Sequence, residues 1–583
     1  METIQTLFDV HYSFRDSALT PDLGSPFSSP PVDIMKELKS ITTKSFGDDF
    51  SFHAAISITL ATLHDGHVVY NPYCYSSYTF RQNLCLYAPV INGKQSIRIY
   101  EDSLNRDFKD CVVQKINGQD AFPYIRNWSN GISTSKDAGV RLNYALASQQ
   151  YDAKKKIVTK AGAFAERNTL PETPFTDYEL QCESSSETIK LRETWNVSRN
   201  VKARVHFKNV TEYVTKVCLQ PVPDEAVSRK QEQDLDRTES SLLPTVKNTA
   251  LSGQVQAPST DDDESDDDES EFEGAEKIAS YDASIFYHLK AYPKVGVVVV
   301  PAHTTGDEEA AAVDNLVHGL MELHKRDVSN VIIDFQGNGG GNIIYAYWLV
   351  KAFFPSKDHF DIALPTDLRA PKIVQELAVA CFQEDQGAVF DASMYTDFKT
   401  MAPYNSSDMF THPVEKTPNG RTEMYSQTAI RTTPRMKDYK ELEMFPWTNK
   451  PGNIHILTDG RCGSACGLSA HMLSAIKNVS ATAIGGVQGQ PLSKFSFVGG
   501  IKSDIRRILH LYEQNKVKTS LKLPPYDADL NFPVTETFAQ GSAIPLEYDP
   551  AHHRANMRMD FDPKNARDRA IMWGQVAAQA WKQ

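Results

Sequence analysis

The chain has 583 residues, 41% hydrophobic and 10% aromatic, which is too much for one core and enough for about three or four domains of ordinary size. Its net charge of −13 is local: residues 261–276 hold eleven Asp and Glu and no Lys or Arg, and without them the chain sums to −2. The rest shows no basic stripe for nucleic acid, and no stretch approaches the roughly 20 apolar residues of a membrane span. Residues 1 to about 80 read as helical, with Ile34, Leu38 and Ile41 at helical spacing, then Phe52 to Leu63. That segment ends in Leu63-His64-Asp65-Gly66-His67-Val68-Val69-Tyr70, a turn feeding a strand. From about 84 to 215 the pattern is β-rich; Val112 to Ile116, Asn117-Gly118 and Ala121 read as strand, hairpin turn and helix start. Residues 222–280 are polar and acidic and are expected to be a disordered linker.

From Tyr292 the pattern becomes α/β. Strands are expected at Val295 to Pro301, Val328 to Phe335, Asn453 to Leu457 and Ala481 to Ile484, with helices at Ala310 to Lys325, Ile343 to Phe354 and Ala465 to Ile476. Strands alternating with helices imply a largely parallel sheet with active residues at strand ends. Residues 356–450 interrupt this pattern with irregular Tyr- and Pro-rich sequence, a candidate lid or dimer contact.

Two strand-to-turn segments carry the chemistry. One ends in Asp334-Phe335-Gln336-Gly337-Asn338-Gly339-Gly340-Gly341, and the other in Thr458-Asp459-Gly460-Arg461-Cys462-Gly463-Ser464-Ala465-Cys466. The first offers bare backbone amides at a helix start, the second a serine at a helix N-terminus. Acyl transfer needs both an oxyanion cradle and a nucleophile. Ser464 is also an ordinary helix cap, and the glycines an ordinary tight turn. No Gly-Lys-Ser/Thr follows the glycines, which speaks against a nucleotide loop. His64 and His67 are the candidate bases, with His303 and His471 as outsiders. Cys462 and Cys466 read either as a redox-sensitive pair or as small buried cysteines at a turn. No cluster has zinc spacing, and no cofactor is expected.

In order and content, Leu63-His64-Asp65-Gly66-His67, the Asp334 to Gly341 segment and the Thr458 to Cys466 segment resemble the tail-specific, or C-terminal-processing, serine proteases. The nearest likeness is to the subgroup with fungal members and the chlamydial protease-like activity factor. The resemblance implies a ClpP/crotonase-like α/β core, a helical N-terminal domain (1–83) carrying the catalytic histidine, a β-rich PDZ-like domain (84–221) and a protease domain (281–583) beyond the acidic linker. It implies Ser464 as nucleophile, His67 as general base, and Gly340 or Gly341 with Ala465 as oxyanion donors. Glu547 is the expected orienting acid, with Glu536 and Glu513 as runners-up. Where bacterial members carry a lysine, this chain reads Gly485-Gly486-Val487-Gln488-Gly489-Gln490-Pro491, with Lys494 beyond the proline, so a Ser–Lys dyad is disfavoured.

The resulting expectation is a serine-type endopeptidase acting on polypeptides through a Ser–His–Glu triad, with no nucleic-acid partner. The alternative is an inactive or zymogen-like scaffold that binds peptides through its PDZ-like region. Met1-Glu2-Thr3-Ile4-Gln5 lacks the pattern of a signal peptide, which points to the cytoplasm. Eight cysteines, five glycosylation sequons and opening residues that read as the middle of a domain point instead to a secreted protein with residues missing upstream.

Overall fold

The computed structural model describes residues 1–20, 23–199, 206–219, 272–305, 309–358, 360–384, 389–433, 436–524 and 526–581. Most of the acidic linker lies outside them. Its last residues do not behave as linker: Ala275–Ser280 forms the edge strand of the central sheet, because Phe272 and Ala275 are buried against Trp573 and Ala570.

That sheet has seven strands in the order Ala275–Ser280, Ile285–Leu289, Val295–Val299, Asn330–Asp334, Ile454–Thr458, Ser480–Ile484 and Met557–Met559. The first three are antiparallel and the rest parallel. Successive side chains of a strand face opposite ways, and here both faces are covered. Val298, Val300, Val331 and Ile333 pack beneath the helices Glu309–Lys325, Ile343–Phe353 and Ala465–His471. Val295, Val297, Val299 and Ile332 face the C-terminal helix Arg569–Trp581. Double burial is why these strands read as unbroken β-branched runs rather than alternating ones. Asp334, at the end of its strand, accepts from Trp573 Nε1 (2.8 Å) and Arg569 (3.2 Å), tying that helix to the sheet.

Asn330–Asp334 and Ile454–Thr458 are neighbours in parallel register, Asp334 opposite Leu457. Both chains therefore leave the sheet at the same edge, and the glycine turn and the serine turn, far apart in sequence, emerge side by side.

The N-terminal helices form as the sequence suggests. Asp33 and Asp48 cap Ile34–Thr42 and Asp49–Ala61 by accepting from the amides of Lys36 and Ser51, and Ile34, Leu38 and Ile41 are buried. Their core is shared: they pack with Leu368, Val374 and Leu377 of the 356–450 insertion and with Ile508, Leu511, Leu530 and Phe532. Within that insertion, Lys372–Gln383 is a helix, and the strands Thr366–Asp367, Tyr395–Asp397 and Ala429–Arg431 form one sheet with Glu536–Thr537. The strand Val69–Pro72 pairs antiparallel with Ala528–Pro533. This pairing fixes the turn that carries His67.

The intervening β-rich unit has strands Leu84–Tyr87, Arg98–Asp102, Val112–Ile116, Phe175–Gln181 and Ile189–Thr194 in one sheet around its own core. Asn117 and Gly118 both adopt positive φ (49° and 77°), forming the hairpin turn that Asn-Gly favours. Cys111–Cys182 braces this unit, and Cys74–Cys218 ties its far end to the N-terminal region. Among the described residues no helix is long and apolar enough to cross a membrane.

Candidate active site

Ser464 stands between the strand Ile454–Thr458 and the helix Ala465–His471 with φ 51° and ψ −123°. A positive φ is uncommon for a residue with a side chain and occurs where surrounding contacts fix it. Those contacts are close at hand. The Ser464 amide donates to Phe497 O (2.8 Å), the Ser496 amide to Cys462 O (2.9 Å) and the Gly463 amide to Asn338 O (3.0 Å). Cys462 and Cys466, both fully buried, form a disulfide spanning the turn and the first residues of the helix.

His67 Nε2 lies 3.0 Å from Ser464 Oγ. The ring is 2% exposed and meets the Phe497 ring edge-on at 4.8 Å. Phe497 is a wedge between the two halves of the site. A Cβ on Gly66 would fall 2.3 Å from its ring and one on Gly463 2.5 Å, so both positions exclude any side chain. Burial, with the charges of Lys502 and Lys136, lowers the His67 pKa to about 3. The imidazole is therefore neutral at pH 7, the form that can accept a proton.

Of the two glycines expected to cradle an oxyanion, Gly340 uses its amide on Asn338 Oδ1 (2.8 Å). The amides of Gly341 and Ala465 have no partner among the described residues. Gly340 matters through its missing side chain. At φ 104° a Cβ there would lie 2.5 Å from Gly463 O and 2.8 Å from Ser464 Cβ. Asn338 organises the turn by also donating to Val300 O (2.7 Å).

The acids are placed differently from the expectation. His67 Nδ1 is buried without a hydrogen-bond partner among the described residues. Asp65 Oδ1 is 3.8 Å from it and accepts the His67 amide at 2.9 Å. Glu547 does not touch the ring: one oxygen accepts from Lys136 Nζ and the other from the Val498 amide, both at 2.6 Å. Burial pushes its carboxyl up to about 8 against the pull of Lys136, whose own pKa is raised because Glu547, Tyr548 and Asp65 outweigh burial. An ammonium and an amide both donating at 2.6 Å fit the ionised carboxylate, since both contacts favour the anion. Glu536 accepts from Ser17 and adjoins Asp367, and Glu513 is exposed on its helix.

The other histidines have other partners. His64 bonds Ser29 and Asn130 O, His303 bonds Ser469 and Asn338, and His471 packs against the His552 ring. Lys494 donates to Arg554 O. Sequence reasoning missed Lys136 and Phe497. The alternation of Phe495 and Phe497 ahead of Gly499-Gly500 marks an extended segment, but nothing local reveals that it runs beside Ser464. Among the described residues, no group of His, Cys, Asp and Glu could hold a metal ion.

Comparison with known proteins agrees with this architecture. Residues 79–199 match the model of the CPAF-like PDZ domain. Over 251 residues the chain is 22% identical to "Peptidase S41 family protein phomP1'" of Diaporthe leptostromiformis, a match spanning 40% of this chain and 36% of that protein. Crystal structures of mature CPAF (TM-score 0.50) and of a serine-to-alanine CPAF mutant (TM-score 0.53) align at 10% identity. They cover 99% and 96% of this chain and 95% and 91% of theirs. The chain therefore shares the overall fold of CPAF, carries a CPAF-like PDZ domain at residues 79–199, and resembles a peptidase of the S41 family over part of its length.

Proposed function

We propose that the protein is a serine endopeptidase in which Ser464 attacks the scissile carbonyl and His67 takes its proton. The reading is carried by the 3.0 Å contact between His67 Nε2 and Ser464 Oγ, made by a neutral, buried imidazole. The unpartnered amides of Gly341 and Ala465 stand on the two turns flanking the serine and would hold the developing oxyanion. Collapse of the tetrahedral intermediate expels the amine, which takes the proton back from His67 and leaves an acyl-enzyme on Ser464. Water, deprotonated by the same histidine, then releases the second product. Behind His67 stand two buried carboxyls. Asp65 faces Nδ1, and Glu547 acts through the Phe497–Val498 segment that touches both serine and histidine. We assign the orienting role to this pair rather than to Glu547 alone.

The test is labelling of the folded protein with a fluorophosphonate, comparing wild type with Ser464→Ala and His67→Ala. Labelling of wild type alone supports the reading. Equal labelling of Ser464→Ala overturns it by placing the reactive nucleophile elsewhere, and no labelling of wild type after limited proteolytic trimming overturns it in favour of the peptide-binding scaffold.

A further inference from the structure

The glycine turn borders a cleft of about 1230 Å³ that reaches from Gly337, Gly339 and Gly340 into the β-rich unit. Among the described residues lining it, the charged side chains are Arg141, Lys160, Arg167, Arg461 and Glu166. Two of these are neutralised: Glu166 pairs with Arg81 (3.5 Å) and Arg461 with Asp459 (3.3 Å). The other three have no carboxylate within ion-pair distance among the described residues.

Arg141 is 2% exposed, and its Nε has no hydrogen-bond partner. Its terminal nitrogens donate to Ser135 O (2.6 Å) and, more distantly, to Asn130 Oδ1 (3.3 Å) and the hydroxyls of Ser28 and Ser29 (both 3.4 Å). The acid nearest in sequence, Asp137, accepts instead from the amides of Gly139 and Ser493. Arg167 lies over the rings of Trp128 and Trp195, 5.1 and 4.4 Å from their centroids, and among the described residues its side chain donates only to Phe164 O. Lys160 is on the strand Ile157–Lys160, which pairs with Ser148–Tyr151. Gln150 of that partner strand packs against Gly337, where a Cβ would fall 3.0 Å from its Cγ. Lys160 lies opposite Ser148, two residues along the ladder, or roughly 7 Å. Burial lowers the pKa of all three cations, that of Arg141 to about 10, outweighing the more distant carboxylates of Asp137 for Arg141, Glu166 and Asp152 for Lys160, and Glu172 for Arg167.

Buried or half-buried charge without a directly paired carboxylate is unfavourable. Three such charges around one low-dielectric cleft focus a positive potential into it. This is not a reflection of composition, since the chain as a whole is acidic. Resting on the endopeptidase reading, we propose that this cleft is a subsite for acidic peptide segments, whose carboxylates are bound by Arg141, Lys160 and Arg167.

The test separates binding from turnover by using the full-length Ser464→Ala variant and fluorescence anisotropy. The probes are labelled peptides of equal length carrying Glu, Gln or Lys at alternate positions. The Glu peptide is expected to bind at least about tenfold more tightly than the Gln peptide, with the advantage shrinking as salt rises. Lys160→Gln together with Arg167→Gln should cut that advantage severalfold, with Arg141 holding what remains, and should affect the Glu peptide more than the Gln peptide. These two positions are only partly buried, and circular dichroism of the double variant checks that it folds. Equal affinities across the three peptides, or a Glu preference that is undiminished in the double variant, would overturn the proposal. Because binding is read in a variant without the serine hydroxyl, either result is independent of whether wild type labels with a fluorophosphonate.

Discussion

The two halves of the site are built in opposite ways. The nucleophile half, from Gly337 to Gly341 and from Cys462 to Cys466, hangs from two adjacent strands of one sheet, and its geometry follows from their register. The base half is assembled from segments that are distant in sequence: the His67 turn, Lys136 in the β-rich unit, Phe497 and Glu547. Pairing in the sheet fixes the first half locally. Packing between units fixes the second, so a substitution far from the chemistry should reach it more easily.

The largest expected effect breaks both halves at once. Ser464→Ala and His67→Ala should each lower peptide hydrolysis by at least about 10⁴-fold, and the double variant hardly further, because residues that act as a unit are not additive. Gly340→Ala tests the sheet-borne half alone. Its methyl group would meet Gly463 O and Ser464 Cβ, so labelling should be lost while the helices of the N-terminal core remain folded by circular dichroism.

Lys136→Met tests the packed half. It leaves the Glu547 carboxylate buried without its cation and should lower stability by about 3–5 kcal/mol, measured by urea unfolding. A loss below about 1 kcal/mol would show that the pair is not the buried ion pair described, since that is the range of exposed pairs.

The disulfides sharpen the contrast further. Cys111–Cys182 closes a loop of 71 residues remote from the serine, whereas Cys462–Cys466 spans a separation of only 4. Loop-closure entropy assigns the former about 4 kcal/mol and the latter much less. Cys111→Ala/Cys182→Ala should therefore lower the unfolding midpoint with little change in the labelling rate of the folded protein. Cys462→Ala/Cys466→Ala should do the reverse, slowing labelling through a looser Ser464 turn. Equal labelling rates in the two variants would mean that hydrogen bonds to residues 496–497 hold the turn unaided.

Legibility in the sequence follows the same division. Buried strands announce themselves as apolar runs, and Val295, Val331 and Ile454 each begin or fall within a strand where the pattern places one. The serine and glycine turns were readable because their neighbours along the chain carry the signal. His67 could be singled out by Asp65 two residues earlier, and that aspartate does face its ring. Glu547 could be picked from a local likeness, but not its partners. Its carboxylate reaches Lys136, 411 positions away, and no periodicity encodes a contact of that range. The insertion at 356–450 read as irregular because its strands are only two or three residues long and pair with distant segments such as Glu536–Thr537.

The smallest effect uses two histidines, one in each setting. Burial lowers the pKa of His67, and equally that of His11, to about 3; His11 bonds Tyr512 and is charge-coupled to Arg369 in the N-terminal core. Each is neutral when folded and takes up a proton near pH 6.5 when unfolded. The unfolded state thus binds more protons between pH 6.5 and 3, so stability from this source is complete above pH 6.5 and is lost as pH falls toward 3. Other buried groups, Glu547 and its Lys136 partner among them, also contribute to the pH dependence, which makes the total slope of wild type uninformative. The difference between variants is informative. His11→Gln removes one of these groups without touching the serine, so the stability gap between wild type and His11→Gln, measured by urea unfolding, should narrow steadily from pH 6.5 downward. Over the same range the labelling rate of folded wild type should stay flat, because a base lowered to about 3 remains neutral. A labelling rate that fell with a midpoint near 6.5 would show that His67 is solvated when it acts, and that the packed half of the site opens before reaction.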